Sequence, residues 1–90
     1  MSVPAIPGAE LISQGLEDLA RGVETVEALL VSIAAPRLRL LGYSVGDGFA
    51  EPELRLYRLL AQQYGDGAHG RYNALIRRIV SFQRAAACAS

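Results

Sequence analysis

The sequence contains no lysine and no tryptophan, and it has one cysteine, Cys88, and one histidine, His69. A lone cysteine cannot form a disulfide within the chain, which favours a reducing, cytoplasmic setting. His69 has no histidine or cysteine at metal-ligand spacing and no nucleophile in register, so the sequence predicts no metal site, no cofactor and no enzyme. All nine basic residues are arginine, a composition that suggests a bacterial or phage origin.

Long hydrophobic runs are also missing. The longest apolar run, from Ala28 to Ala35, is far shorter than the roughly 20 residues that a membrane-spanning helix needs, and Pro36 follows it. The N-terminus lacks the basic and apolar segments of a secretion signal. We therefore expect a cytoplasmic protein with no membrane partner.

The two halves of the chain carry opposite charge, although the formal net charge is zero. Residues 1–54 hold three arginines against eight acidic residues, a net charge of −5, whereas residues 55–90 hold six arginines against Asp66, a net charge of +5. This asymmetry fits an acidic helix lying beside a basic one in the same fold. It also fits a nucleic-acid surface in the second half.

An uninterrupted heptad pattern organises the first third of the chain. Its apolar residues alternate at spacings of four and three: Ile12, Leu16, Leu19, Val23, Val26, Leu30 and Ile33. We call these residues the heptad seam. Because such residues share one stripe of a helix, the pattern predicts one long helix from about Ala9 to Ala35. Gly15 and Gly22 flank the seam, and their small size predicts a close helix crossing near them.

Proline marks both ends of this predicted helix. Residues 1–9 contain Pro4 and Pro7, so we expect a flexible N-terminal arm followed by one helical domain, residues 10–88. Pro36 is expected to stop or kink the helix, and residues 37–41 are expected to form one further helical turn.

The second half predicts a helical hairpin after a loop, residues 42–50, whose Tyr43, Val45 and Phe49 cover the core. Its first helix spans about residues 51–64. Its second starts at His69 or Gly70 and ends near Ala87, after a glycine-rich turn. The inner face of the first hairpin helix is expected to contain Leu56, Tyr57, Leu60 and Tyr64, widened by Leu54 and Leu59. The predicted fold is all-α, a long helix packed on this hairpin. Because the hairpin helices are shorter than the seam, we expect a homodimer.

Two surfaces are candidates for function. The first is a partner or dimer interface on the long helix: Ile12, Gly15, Leu16, Leu19, Gly22, Val23, Val26, Leu30 and Ile33. The second is the polar side of the last helix, where arginine could follow a phosphate backbone: Arg71, Asn73, Arg77, Arg78, Ser81 and Arg84. Alternatively, those arginines pair with the long helix, in which case Arg77 or Arg84 should approach Glu17, Glu24 or Glu27.

The sequence favours a non-catalytic helical interaction protein, a small regulator or accessory subunit that acts through contacts with a protein partner and with itself. The alternative is a nucleic-acid-binding regulator, such as a small repressor, antitoxin or nucleoprotein subunit. The turn between the hairpin helices is too long and too rich in glycine for a helix-turn-helix, and no small-molecule substrate is evident.

Overall fold

The computed structural model describes residues 8–89, and within that range the chain is helical with no strand. It forms four α-helices: α1 (Ala9–Ala20), α2 (Val26–Leu40), α3 (Pro52–Tyr64) and α4 (Ala68–Ala89), with a single 3₁₀ turn at Gly65–Gly67. The all-α prediction is confirmed, with α2, α3 and α4 packed together. Most of the expected N-terminal arm, residues 1–7, lies outside the described residues.

The prediction of one continuous helix from Ala9 to Ala35 is wrong, because the chain turns back between α1 and α2. Gly22 adopts φ +73°, a left-handed conformation that glycine tolerates best. The Gly22 N–H donates to the Leu19 carbonyl (3.0 Å) and the Val23 N–H to the Asp18 carbonyl (2.9 Å). These two bonds form the Schellman motif that commonly ends a helix at a glycine.

Asp18 and Thr25 connect the end of α1 to the start of α2. The Thr25 hydroxyl accepts a hydrogen bond from the Ala28 N–H (3.1 Å), which caps α2, and it donates to Asp18 Oδ2 (2.7 Å). Gln14 Nε2 donates to Asp18 Oδ1 (3.0 Å). Asp18 is only 8% exposed, so both of its carboxylate oxygens are satisfied by neighbouring side chains rather than left bare.

The turn brings α1 onto α2 at Gly15. A Cβ atom at this position would lie 2.3 Å from the Glu27 carbonyl oxygen and 2.4 Å from Val31 Cγ2, closer than any real side chain. The close crossing at Gly15 is therefore between two helices of one chain. Gly22 has nothing within 4 Å of its missing Cβ, so it serves the turn rather than a crossing.

α2 does not stop at Pro36 and continues to Leu40, so it includes most of the further helical turn predicted for residues 37–41. Proline removes one backbone hydrogen bond from the helix. Leu38, one turn after the proline neighbourhood begins, is fully buried, so we attribute the continuation to packing. Ser32 also ties α2 to the following loop, since its hydroxyl donates to the Ala28 carbonyl (2.9 Å) and accepts from the Phe49 N–H (3.1 Å).

The core lies where α2 meets the other helices. Its fully buried large side chains come from α2 and α3: Leu29, Leu30, Val31, Leu38, Leu56 and Leu60. α4 adds Ile79 and Phe82, and the loop residues Tyr43, Val45 and Phe49 pack against this cluster as predicted. Three residues expected on the inner face of α3 are exposed instead: Leu54, Tyr57 and Tyr64.

The crossing at Gly15 predicts a steric cost for the smallest possible side chain. We expect Gly15→Ala to destabilise the fold by about 1–3 kcal/mol, since α1 must move away from the backbone of α2. Gly70→Ala is the matched control, because Gly70 is also helical but has open space around it. It should leave stability unchanged or raise it by up to about 1 kcal/mol. Urea unfolding measures both, and equal effects would contradict the crossing.

The hydroxyl of Thr25 predicts a second effect on stability. Thr25→Ala removes the cap of α2 and the hydrogen bond to buried Asp18, and we expect a loss of about 1–2 kcal/mol. Thr25→Ser keeps the hydroxyl and should stay close to the wild type. Thermal unfolding of the three proteins checks this, and an alanine variant as stable as the serine variant would show that the hydroxyl contributes nothing.

Candidate interaction surface

The heptad seam does not form one exposed stripe in this structure. Ile12 and Leu30 are buried in the core, and Gly15 is covered by α2. Four other seam residues are half-buried and pack against the core: Leu16, Leu19, Val26 and Ile33. Gly22 and Val23 lie exposed in the turn. Most of the apolar surface that suggested a partner is thus covered by the chain itself.

The arginines of α4 lie along two edges of the helix. Arg71 and Arg78, one heptad apart, are both engaged with other parts of the chain. The guanidinium carbon of Arg71 lies 4.1 Å from the centroid of the Tyr64 ring, a cation–π contact. Arg78 Nη2 donates to Glu10 Oε1 at 2.6 Å. These two side chains secure α4 to the end of α3 and to the start of α1.

The other edge of α4 faces solvent. Arg77, Ser81 and Arg84 are exposed, and within residues 8–89 neither arginine forms an ion pair. Asn73, expected on the same side, is half-buried, and its Nδ2 lies 3.2 Å from Nε2 of His69. The structure therefore leaves two of the four α4 arginines without an acidic or aromatic partner.

The acidic and basic halves of the chain do contact each other, but not through the residues we predicted. Neither Arg77 nor Arg84 pairs with Glu17, Glu24 or Glu27. The pairs between the halves are Arg78 with Glu10 (2.6 Å) and Arg55 with Glu24 (2.7 Å). Glu17 pairs with Arg21 on its own helix. The predicted partners were wrong because the turn at Gly22 changes which acidic residues lie near α4.

An exposed apolar strip runs along α3 and α4. The rings of Tyr57 on α3 and Tyr72 on α4 contact each other, with centroids 5.8 Å apart. Ile76 and Val80 follow Tyr72 at four-residue spacing, so they share its side of α4. Tyr57 is 40% and Val80 37% exposed, while Tyr72 and Ile76 are half-buried. We call these four residues the α3–α4 strip.

Sequence reasoning missed this strip, although a signal for it was present. Tyr57, Tyr72 and Ile76 were all expected to face the core, and Val80 was not assigned to any face. Val80 extends the Tyr72–Ile76 series by one further helical turn, beyond the apolar stripe that packs inward. An apolar face wider than one stripe is the pattern that could have identified an exposed strip.

A cleft of about 580 Å³ opens between the start of α2, the end of α3 and the first half of α4. Its lining mixes the apolar side chains of Val26, Leu59 and Leu75 with charged groups of both signs. Of these charged groups, Arg71 is stacked on Tyr64, and Arg78 and Glu24 are in ion pairs. The cleft is open to solvent and its charges are mostly engaged already, so the α3–α4 strip is the better candidate for function.

Two searches of the described residues bear on other site types. No group of three or more histidine, cysteine, aspartate or glutamate residues in that range could hold a metal ion, and Cys88 is exposed as a free thiol. None of the helices described is long and apolar enough to cross a membrane. Comparison with known protein families, curated proteins and solved structures finds no match for this chain.

Proposed function

We propose that this protein is a non-catalytic helical interaction protein, a small regulator or accessory subunit that binds a protein partner through the α3–α4 strip. The observation that carries the proposal is the exposed contact between Tyr57 and Tyr72, continued along α4 by Ile76 and Val80. Tyrosine is enriched among residues that dominate binding energy, because one rigid side chain offers both apolar area and a hydroxyl group.

The shape of the strip favours a helical partner. Tyr72 and Val80 are eight residues apart on α4, which corresponds to about 12 Å, or two turns of a helix. Two adjacent helices form a shallow groove, and an amphipathic helix can place side chains at every third or fourth position into such a groove. Leu54, exposed three residues before Tyr57, extends the apolar surface on the α3 side.

Charge further defines the partner. Arg77 is next to Ile76 in the chain, and Arg84 continues the Tyr72–Ile76–Val80 series by one more turn, so two unpaired cations border the strip. A partner helix with acidic residues beside its apolar face would complement this border. Such rim charges increase the association rate more than they increase the final affinity.

A strip variant should lose the partner while keeping the fold. Val80→Glu places a carboxylate at the exposed end of the strip, and Tyr57→Ala removes the larger ring. We expect each to weaken partner binding by roughly 30-fold or more, as hot-spot substitutions do. Gln62→Glu, an exposed change elsewhere on α3, is the control. Affinity purification from the native host, followed by a measured Kd for the recovered protein, provides the test.

Two results would contradict this proposal. One is a partner that binds the strip variants and the control equally well. The other is the absence of any protein enriched by the wild type over an unrelated helical bait. Thermal unfolding of each variant separates a loss of binding from a loss of fold, since both substituted side chains are at least one-third exposed.

Nucleic-acid binding through the arginines of α4 is the second candidate, and the unpaired state of Arg77 and Arg84 is the observation that favours it. The committed contacts for this function are Arg71, Asn73, Arg77, Arg78, Ser81 and Arg84. Arg71 and Arg78 are engaged within the fold, so two arginines are free to neutralise phosphates without losing another contact. The acidic first half of the chain repels the same phosphates.

Salt dependence distinguishes this candidate from the protein-partner proposal. Two phosphate contacts on duplex DNA predict a log–log salt slope of about −1.8, and four would give about −3.6. We expect no retardation of mixed-sequence DNA or RNA at tens of micromolar protein in low salt. A shift with a slope near −1.8 that disappears in Arg77→Ala/Arg84→Ala, and persists in Val80→Glu, would replace the protein-partner proposal with this one.

A further inference from the structure

The heptad seam continues through the turn that separates α1 from α2. Val23 follows Leu19 by four residues and precedes Val26 by three, so a helix through residues 21–25 would keep Val23 on the same stripe. In the folded-back chain Val23 is instead 46% exposed in the turn. The sequence therefore matches two conformations of the same segment, one bent at Gly22 and one straight.

The bent and straight conformations can use the same helix contacts. If residues 9–40 formed one straight helix, about 48 Å long, α1 would leave its own α2. A second copy in the same state could then supply its α1 in return. Because Gly15 packs against Glu27 and Val31, the midpoint of the α1–α2 pairing falls at residues 21–23. Two straight helices crossing there would bring the Val23 side chains of both copies together.

We propose that this protein forms a domain-swapped homodimer in which α1 of each copy packs on α2 of the other, with the turn at residues 21–25 converted to helix. The occupant of the α2 face is a second copy of this chain, because that face already fits α1, including the close approach at Gly15. This goes beyond the proposed function, since it does not involve the α3–α4 strip. It also gives the expected self-association a structural route.

The balance between the two forms depends on the turn alone, because the α1–α2 contacts are lost once and regained once. The bent form is favoured by the left-handed Gly22, its two Schellman hydrogen bonds and the Thr25 cap. The straight form gains helical hydrogen bonds for five residues and buries Val23. Substitutions confined to residues 22–26 should therefore shift the equilibrium without changing any other contact.

Gly22→Ala tests the proposal directly. There is open space for the added Cβ, so the substitution causes no clash. Alanine disfavours the left-handed conformation and favours helix, and a dimer contains two such turns, so we expect the Kd of dimerisation to fall roughly a thousandfold. Gly42→Ala is the matched control: Gly42 has φ +97° and open space, but it lies outside the turn. It should leave the Kd unchanged.

Two further variants should return Gly22→Ala to the monomer. Val26→Pro suits the bent form, because Val26 is the first residue of α2 and Thr25 before it is already extended (φ −123°, ψ 168°). Proline there would break a continuous helix. Val23→Asp leaves an exposed side chain in the monomer but places two carboxylates together at the dimer crossing.

Sedimentation equilibrium from micromolar to millimolar concentration, with circular dichroism, gives the readout. We expect Gly22→Ala to be a dimer with higher helical content, and both double variants to be folded monomers. A Gly22→Ala protein that stays monomeric at millimolar concentration would overturn the proposal. So would a dimer that survives both Val26→Pro and Val23→Asp. A dimer abolished by Tyr57→Ala would assign self-association to the α3–α4 strip instead, and loss of partner binding in Val80→Glu would be unaffected by any of these results.

Discussion

The reversal of the chain at Gly22 is the constraint on which the rest of the structure depends. It converts one apolar seam into two facing halves, with Ile12 on α1 and Leu30 on α2 both buried in the same core. α2 then has α1 on one side and α3 and α4 on the others, so most of its surface is covered. Without the reversal, α1 would project from the fold with its apolar face in water.

The buried carboxylate of Asp18 makes the reversal specific. A buried acid is costly unless hydrogen bonds satisfy it, and Gln14 and Thr25 both donate to Asp18. Thr25 can reach Asp18 only when the chain bends, and the same hydroxyl caps α2. One side chain therefore links the end of α1, the direction of the turn and the start of α2.

Periodicity predicted where helices would occur but not how the first two are connected. α3 and α4 begin within two residues of the prediction, and the loop residues Tyr43, Val45 and Phe49 cover the core as expected. The heptad pattern could not reveal the break, because a seam folded back on itself has the same spacing as a straight one. The signals for the break were Gly22, suited to a helix end, and Thr25, suited to a helix start. The uninterrupted apolar spacing outweighed them.

Charge asymmetry was informative about contact between the halves and uninformative about the residues involved. Arg55 and Arg78 both reach acids of the first half, yet their partners, Glu24 and Glu10, depend on the position of the turn. Local sequence cannot specify such pairs, because they join residues 31 and 68 positions apart. The exposed pairs contribute only about 0–1 kcal/mol each, so they follow the fold rather than determine it.

The distribution of free charge explains why a protein partner is the stronger proposal. A polyanion requires several cations that can meet phosphates without giving up other contacts, and α4 has two, Arg77 and Arg84, in a chain of zero net charge. Those same two cations border an apolar strip that includes Tyr57 and Val80. Phosphate binding would make no use of that strip, whereas an amphipathic helix with an acidic flank would use both the strip and its charged border. The protein-partner proposal therefore accounts for more of the exposed surface of α3 and α4 than the nucleic-acid proposal does.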